Sequence, residues 1–104
     1  IAVAGTIRSD LVRNRDGGAP GGRLLAIRVE RPDGGVVGQV VVFPAHATIH
    51  PSSNRLLSAD WPGAMARALP GVTVFLQGAE GDQTWLLPTP RPGPTHVAFG
   101  QAVA

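Results

Sequence analysis

Two apolar runs set the strongest limit on how this chain can fold: LLAIRVER (residues 24–31) and VVGQVVVF (residues 36–43), separated only by Pro32-Asp33-Gly34-Gly35. Both runs are rich in β-branched and other apolar residues suited to a packed, pleated surface, and the spacer carries residues that reverse the chain. A β-hairpin is the simplest result. The second run is apolar almost throughout and is therefore expected to be a strand buried on both faces.

Beyond the hairpin the hydrophobic period changes. Trp61, Ala64, Met65, Ala68 and Leu69 fall at i, i+3, i+4, i+7 and i+8, which places them on one face of a helix over residues 60–69. Asp60 stands where it can cap that helix, Pro62 is tolerated in its first turn, and Pro70-Gly71 ends it. VTVFL (72–76) follows as a strand, then QGAEGDQTW (77–85) as a loop and TPRPGPT (89–95) as an extended connector. Ahead of the hairpin, residues 1–16 suit a short helix or an extended lead-in, and Asp16-Gly17-Gly18-Ala19-Pro20-Gly21-Gly22 forces a loop. The expected class is α/β: a mixed β-sheet with a hairpin, one amphipathic helix and a further central strand.

With 104 residues the chain is one domain at most, and 14 glycines and 10 prolines make it rich in turns. Its hydrophobic share of 43% against 15% charged residues fits a globular chain better than a disordered one. All nine cations are arginine, scattered from Arg8 to Arg91 among seven acids, so no local basic patch exists to grip a phosphate backbone. No nucleic-acid partner is expected. Absence of Cys removes disulfides and thiolate metal sites, and absence of Tyr leaves His, Asp and Glu as metal donors. No apolar run approaches the roughly 18 residues that cross a bilayer. The chain opens without Met and closes within HVAFGQAVA, so it is expected to be an excerpt of a longer protein.

Two stretches carry candidate chemistry. In FPAHATIHPSSN, His46 and His50 lie four apart, the spacing of a helical metal pair. Pro44 and Pro51 flank them, and Thr48 and Ile49 are β-branched, so the segment is extended or looped and one strand-end histidine is the conservative site. In FLQGAEGDQTW an apolar strand runs into a glycine-punctuated loop with Glu80, Asp82 and Thr84. It is not a phosphate cradle, because no G-K-[ST] is present and two carboxylates would repel the phosphate.

Taken together, VRNRDG, VVVFPAHATIHPSSNRLLSADWPG and VFLQGAEGDQTW resemble the neutral/alkaline non-lysosomal ceramidases, a family of zinc amidases, in order and spacing from about Val12 to Trp85. The resemblance implies that residues 1–104 are an internal part of the N-terminal amidase domain, a fragment of a larger α/β unit. It makes His46 a Zn2+ ligand and leaves His50 without a metal role. It makes Arg15 a substrate-facing cation and Thr84 a hydroxyl near the scissile amide, although Trp85 stands where the family has Pro. Asp60 and Asp82 are expected as supporting residues, one at the helix start and one ordering the loop.

The implied reaction is zinc-dependent hydrolysis of ceramide or a related lipid amide to a fatty acid and an amine such as sphingosine, at a membrane surface and in a secreted or cell-surface setting. The family's other ligands, a histidine of an H-x-H element and a downstream Glu and Tyr, have no counterpart here, so the metal would depend on the remainder of a longer chain. His96 and Glu80 qualify as stand-ins by residue type alone. Three alternatives stay open: a non-catalytic lipid- or glycan-binding or interaction module with an incomplete metal site, a hydrolase of another amide, and a structural segment in which His46 merely satisfies buried backbone.

Overall fold

The hairpin forms around a turn that glycine makes possible. Gly34 has φ +85°, and the turn closes through Gly34 N to Arg31 O (2.9 Å), Arg31 N to Gly35 O (2.8 Å) and Gly35 N to Asp33 Oδ1 (2.9 Å). The computed structural model describes residues 1–104, with β1 (Ala2–Ile7), a 3-10 turn (Ser9–Leu11), β2 (Val12–Asn14), β3 (Arg23–Glu30), β4 (Val36–Phe43), α1 (Asp60–Ala68), β5 (Val72–Gln77), β6 (Gln83–Trp85) and α2 (Thr95–Val103). β3 and β4 pair antiparallel from Leu25↔Val42 to Glu30↔Val36.

β1 and β5 flank this hairpin to give a four-stranded mixed sheet in the order β1-β3-β4-β5, with β4 and β5 parallel from Gly38↔Val72 to Phe43↔Gln77. The α/β class and the mixed sheet are as the sequence indicates. Two details differ and a third is settled. β5 is the outer strand of the sheet and not a central one, residues 83–85 leave the expected loop to pair with β2, and residues 1–16 take the extended one of their two expected forms, as two strands and a 3-10 turn. Strand pairing with a distant segment decides all three, and no local propensity reports it.

A second helix, α2, follows the proline-rich connector where the sequence had suggested none. It buries Ala98, Phe99, Ala102 and Val103 despite Gly100 in its middle, a residue that costs about 1 kcal/mol of helix propensity. Packing explains the glycine. A Cβ there would stand 2.6 Å from Trp61 O and 2.7 Å from Met65 N, so α2 lies directly on α1.

Both helices cover one face of the sheet. Phe43, Val41, Trp61, Met65, Phe99, Leu11 and Val12 are buried together, with Trp61 edge-on to Phe75 (4.8 Å), Phe99 (5.2 Å) and Phe43 (6.0 Å). Gln39 shares the buried face and is satisfied by Pro70 O (3.0 Å) and Thr73 Oγ1 (3.2 Å). The expectation that β4 is buried on both faces fails. Val41 is 4% exposed, whereas the opposite face carries Ile27, Val29, Val72, Val74 and Leu76, each more than a third exposed. The apolar run reflects an apolar residue on each face, of which only one is covered.

Gly100→Ala separates two effects. Helix propensity alone would stabilise the protein by about 1 kcal/mol, while overpacking costs about 1–3 kcal/mol. Chemical denaturation is expected to show net destabilisation; a gain would mean that α1 and α2 are not in close contact.

Candidate functional site

A parallel pair ends at one edge, and here that edge gathers the candidate residues. Phe43 and Gln77 are register partners at the carboxyl ends of β4 and β5. Three residues further on, each strand delivers a side chain: Pro44-Ala45 leads to His46, and Gly78-Ala79 leads to Glu80. In sheets of this type the carboxyl ends of parallel strands are where ligands commonly bind. Two backbone clamps hold the segments. Gln77 Nε2 donates to Phe43 O (3.3 Å) and Ala45 O (3.2 Å), and Gly78 N donates to Phe43 O (3.2 Å). Trp61 Nε1 donates to His46 O (3.2 Å), which ties the histidine to the helical core.

The β2–β6 ribbon brings the third segment. Asn14 pairs with Gln83, so Arg15 follows directly beside Asp82 and its N–H donates to Asp82 O (2.7 Å). Arg15 Nη2 then reaches Gly81 O (2.8 Å) and His46 Nε2 (3.1 Å). On the other side of the ring, His46 Nδ1 is 3.2 Å from Glu80 Oε2, a buried oxygen that makes no hydrogen bond. Asp82 accepts from Asn14 Nδ2 (2.6 Å) and Gln83 Nε2 (2.7 Å). Buried Gln83 also accepts from Gly21 N (3.0 Å), fastening the glycine-rich loop to the same cluster.

Of the residues singled out by sequence, His46, Arg15 and Asp82 come together. His46 is neither sealed in an apolar interior nor tied up by main-chain groups at its ring: its side chain is 26% exposed and both nitrogens face side chains. Thr84 pairs with Arg13 in the ribbon, and its hydroxyl makes no hydrogen bond to the cluster. Asp60 is distant in role. Its Oδ1 and Oδ2 accept from Trp61 N (2.7 Å) and His50 N (2.8 Å), so it joins the helix start to the histidine loop. It takes φ +48°, a backbone position that a short polar side chain tolerates. His50 and His96 face each other with ring centroids 4.4 Å apart.

Glu80 is the residue whose place the sequence concealed. Only the in-register parallel pairing reveals that positions three beyond Phe43 and three beyond Gln77 meet. As a metal-holding set the chain is partial. His46 and Glu80 are donors of suitable type, yet no three His, Cys, Asp or Glu side chains stand together, and catalytic zinc uses about three protein ligands and an open position. His96 pairs with His50 and belongs to no three-donor group. A cleft of about 420 Å³ lies beside the cluster, walled by Ile7, Leu25, Val42, Pro44 and Ala79 with Arg23; His46, Arg15 and Thr84 do not line it.

The chain is similar in structure to neutral ceramidase from Pseudomonas aeruginosa, with a TM-score of 0.75 and 19% identity over 97% of this chain. A ceramidase complexed with C2 matches equally, with a TM-score of 0.75 and 18% identity over 97% of this chain. The fold is that of a piece of a ceramidase. The chain spans about one fifth of those proteins, 20% and 19% of their lengths. No protein-family model and no curated protein sequence matches it.

Asp82 makes the site sensitive to acid. The hydrogen bond from Gln83, then that from Asn14, with the Arg15 charge behind them, outweigh desolvation and hold its carboxyl below the usual aspartate range of about 3.9. A value lower in the folded than in the unfolded chain gives stability that is present above the unfolded value and lost as pH falls through the folded one. Denaturant midpoints measured from about pH 5 downward should therefore converge for wild type and Asp82→Asn. A gap that stays constant across that range would contradict the hydrogen-bonded carboxylate.

Proposed function

We propose that this chain supplies one side of the active site of an amide hydrolase with a ceramidase-like fold. In it His46 is one Zn2+ ligand, and the remaining ligands lie outside residues 1–104. The observation that carries the proposal is the convergence of His46 and Arg15 at the carboxyl ends of β4 and β5, in a fold that matches neutral ceramidases. When bound, the metal would polarise the amide carbonyl and lower the pKa of its bound water.

This chain's own residues have three tasks. His46 presents a ring nitrogen held in place by the clamps on Ala45 and His46 carbonyls. Arg15, anchored on Gly81 O, offers a guanidinium beside that nitrogen, where it can stabilise negative charge developing on a carbonyl oxygen. Asp82 and Asn14 keep the Arg15 segment in register with the loop. Thr84 is proposed as a hydroxyl contact from the neighbouring ribbon, reached from its present place on β6.

A ceramide-like lipid amide is the proposed substrate, taken from a membrane surface in a secreted or cell-surface setting. The apolar cleft beside the cluster supports an apolar substrate. One observation favours a second reading, a non-catalytic lipid-binding module: the Arg15 guanidinium already engages His46 Nε2, the nitrogen a metal would use.

Metal content and hydrolysis of ceramide and of short N-acyl amides, measured on the full-length protein, decide between them. His46→Ala is expected to lose both zinc and activity. Arg15→Ala should keep zinc while kcat falls about 10²–10³-fold, the usual cost of one oxyanion donor. Activity that survives His46→Ala would end the hydrolase proposal, and ceramide binding without turnover would favour the binding module.

A further inference from the structure

We infer that Glu80 is a positioning residue: it fixes His46 in the tautomer with hydrogen on Nδ1 and so keeps the Nε2 lone pair directed toward Arg15 and the open side of the cluster. Two contacts on opposite sides of the ring favour the same tautomer. Arginine has donors only, so the 3.1 Å approach of Arg15 Nη2 requires Nε2 to accept. A neutral imidazole has a single N–H, which then sits on Nδ1. Nδ1 faces Glu80 Oε2 at 3.2 Å, a close approach short of hydrogen-bond geometry, and that buried oxygen has no hydrogen-bond partner, so a hydrogen on Nδ1 is the nearest group that can serve it.

A doubly protonated ring would set its Nε2–H against the guanidinium N–H, and the opposite tautomer would do the same while turning a bare Nδ1 lone pair toward a carboxylate. Both alternatives place like against like on at least one side. The Glu80 contact is an electrostatic approach and not a formed hydrogen bond, which suits an orienting role more than a strong clamp. Glu80 is itself held near by the loop closure Gln83 N to Glu80 O (2.6 Å).

The tautomer assignment depends only on these contacts; its bearing on metal affinity rests on the function proposed above. A histidine that ligates a metal through one nitrogen commonly gives its other N–H to a carboxylate, which sets ring orientation. Glu80 is placed to be that carboxylate, three residues past the end of β5 as His46 is three past β4.

The test uses full-length protein with ¹⁵N-labelled histidine, metal-free, and a long-range ¹H–¹⁵N correlation spectrum, with His46 assigned by its loss in His46→Ala. Wild type should show a protonated Nδ1 and a bare Nε2. Glu80→Gln, whose side-chain oxygen can still accept, should keep that pattern. Glu80→Leu should move His46 to a mixture of tautomers, because the Arg15 contact is exposed and its guanidinium can turn away from the ring, and Arg15→Leu should leave it on Nδ1, where the buried Glu80 oxygen remains. A wild-type ring protonated on Nε2, or a pattern that changes with Arg15→Leu and not with Glu80→Leu, or with neither, would overturn the assignment. Should Glu80→Leu fail to fold, Glu80→Ala takes its place. Zinc titration is the second readout: Glu80→Leu is expected to weaken binding about 10–100-fold, with part of the loss restored in Glu80→Gln. Equal affinity in wild type and Glu80→Leu would remove the metal-positioning role. Wild type showing the Nδ1–H ring without binding zinc would sink the proposed hydrolase and leave Glu80's hold on the tautomer intact.

Discussion

The parallel pairing of β4 with β5 is the constraint on which the rest of this molecule depends. Parallel neighbours cannot be joined by a tight turn, so the chain must cross over, and residues 44–71 do so by way of α1. That crossover sets Trp61 against Phe43 and Phe75 and thereby builds the core. It also leaves two strand ends side by side with their outgoing segments pointing the same way. The chemistry of the cluster and the burial of the core are thus two results of one ladder.

Satisfied polar groups connect the ladder to the cluster. Gln77 and Gly78 bind the carbonyls just before His46, and Trp61 binds the carbonyl of His46 itself. Gln83 joins the glycine-rich loop to Asp82. Each of these satisfies a backbone or side-chain polar group in an otherwise irregular stretch, where an unmade hydrogen bond would cost more than a made one yields. The result is a histidine whose main chain is fixed and whose ring is positioned by Arg15 and Glu80. The open face of the sheet is the counterpart: its apolar residues are covered by nothing within residues 1–104, in a chain that spans about a fifth of the ceramidases it resembles in fold.

Much of the secondary structure was legible because its signals are local. The turn of residues 32–35 and the β-branched runs on either side define the hairpin, and the period of Trp61, Ala64 and Met65 defines α1. The misses share a cause. β6 has three residues and exists only because β2 lies beside it, and α2 carries a central glycine that is unfavourable until α1 is packed against it. Burial on both faces of β4 was inferred from composition, and composition records which residues could be covered, not which are.

His46, Arg15 and Asp82 could be singled out from the sequence because a strand-end histidine and a glycine-rich acidic loop have recognisable surroundings, and likeness to a zinc amidase family placed them in one site. Local order along the chain determined the hairpin, α1, the strand VTVFL and these candidates. Tertiary structure alone decided that Glu80 meets the His46 ring, that Thr84 and Asp60 stand apart from it, and that one sheet face stays open. The physical reason is that hydrogen-bond register and burial arise between segments distant in sequence, and a residue's type states what it can bond to without stating what will be there.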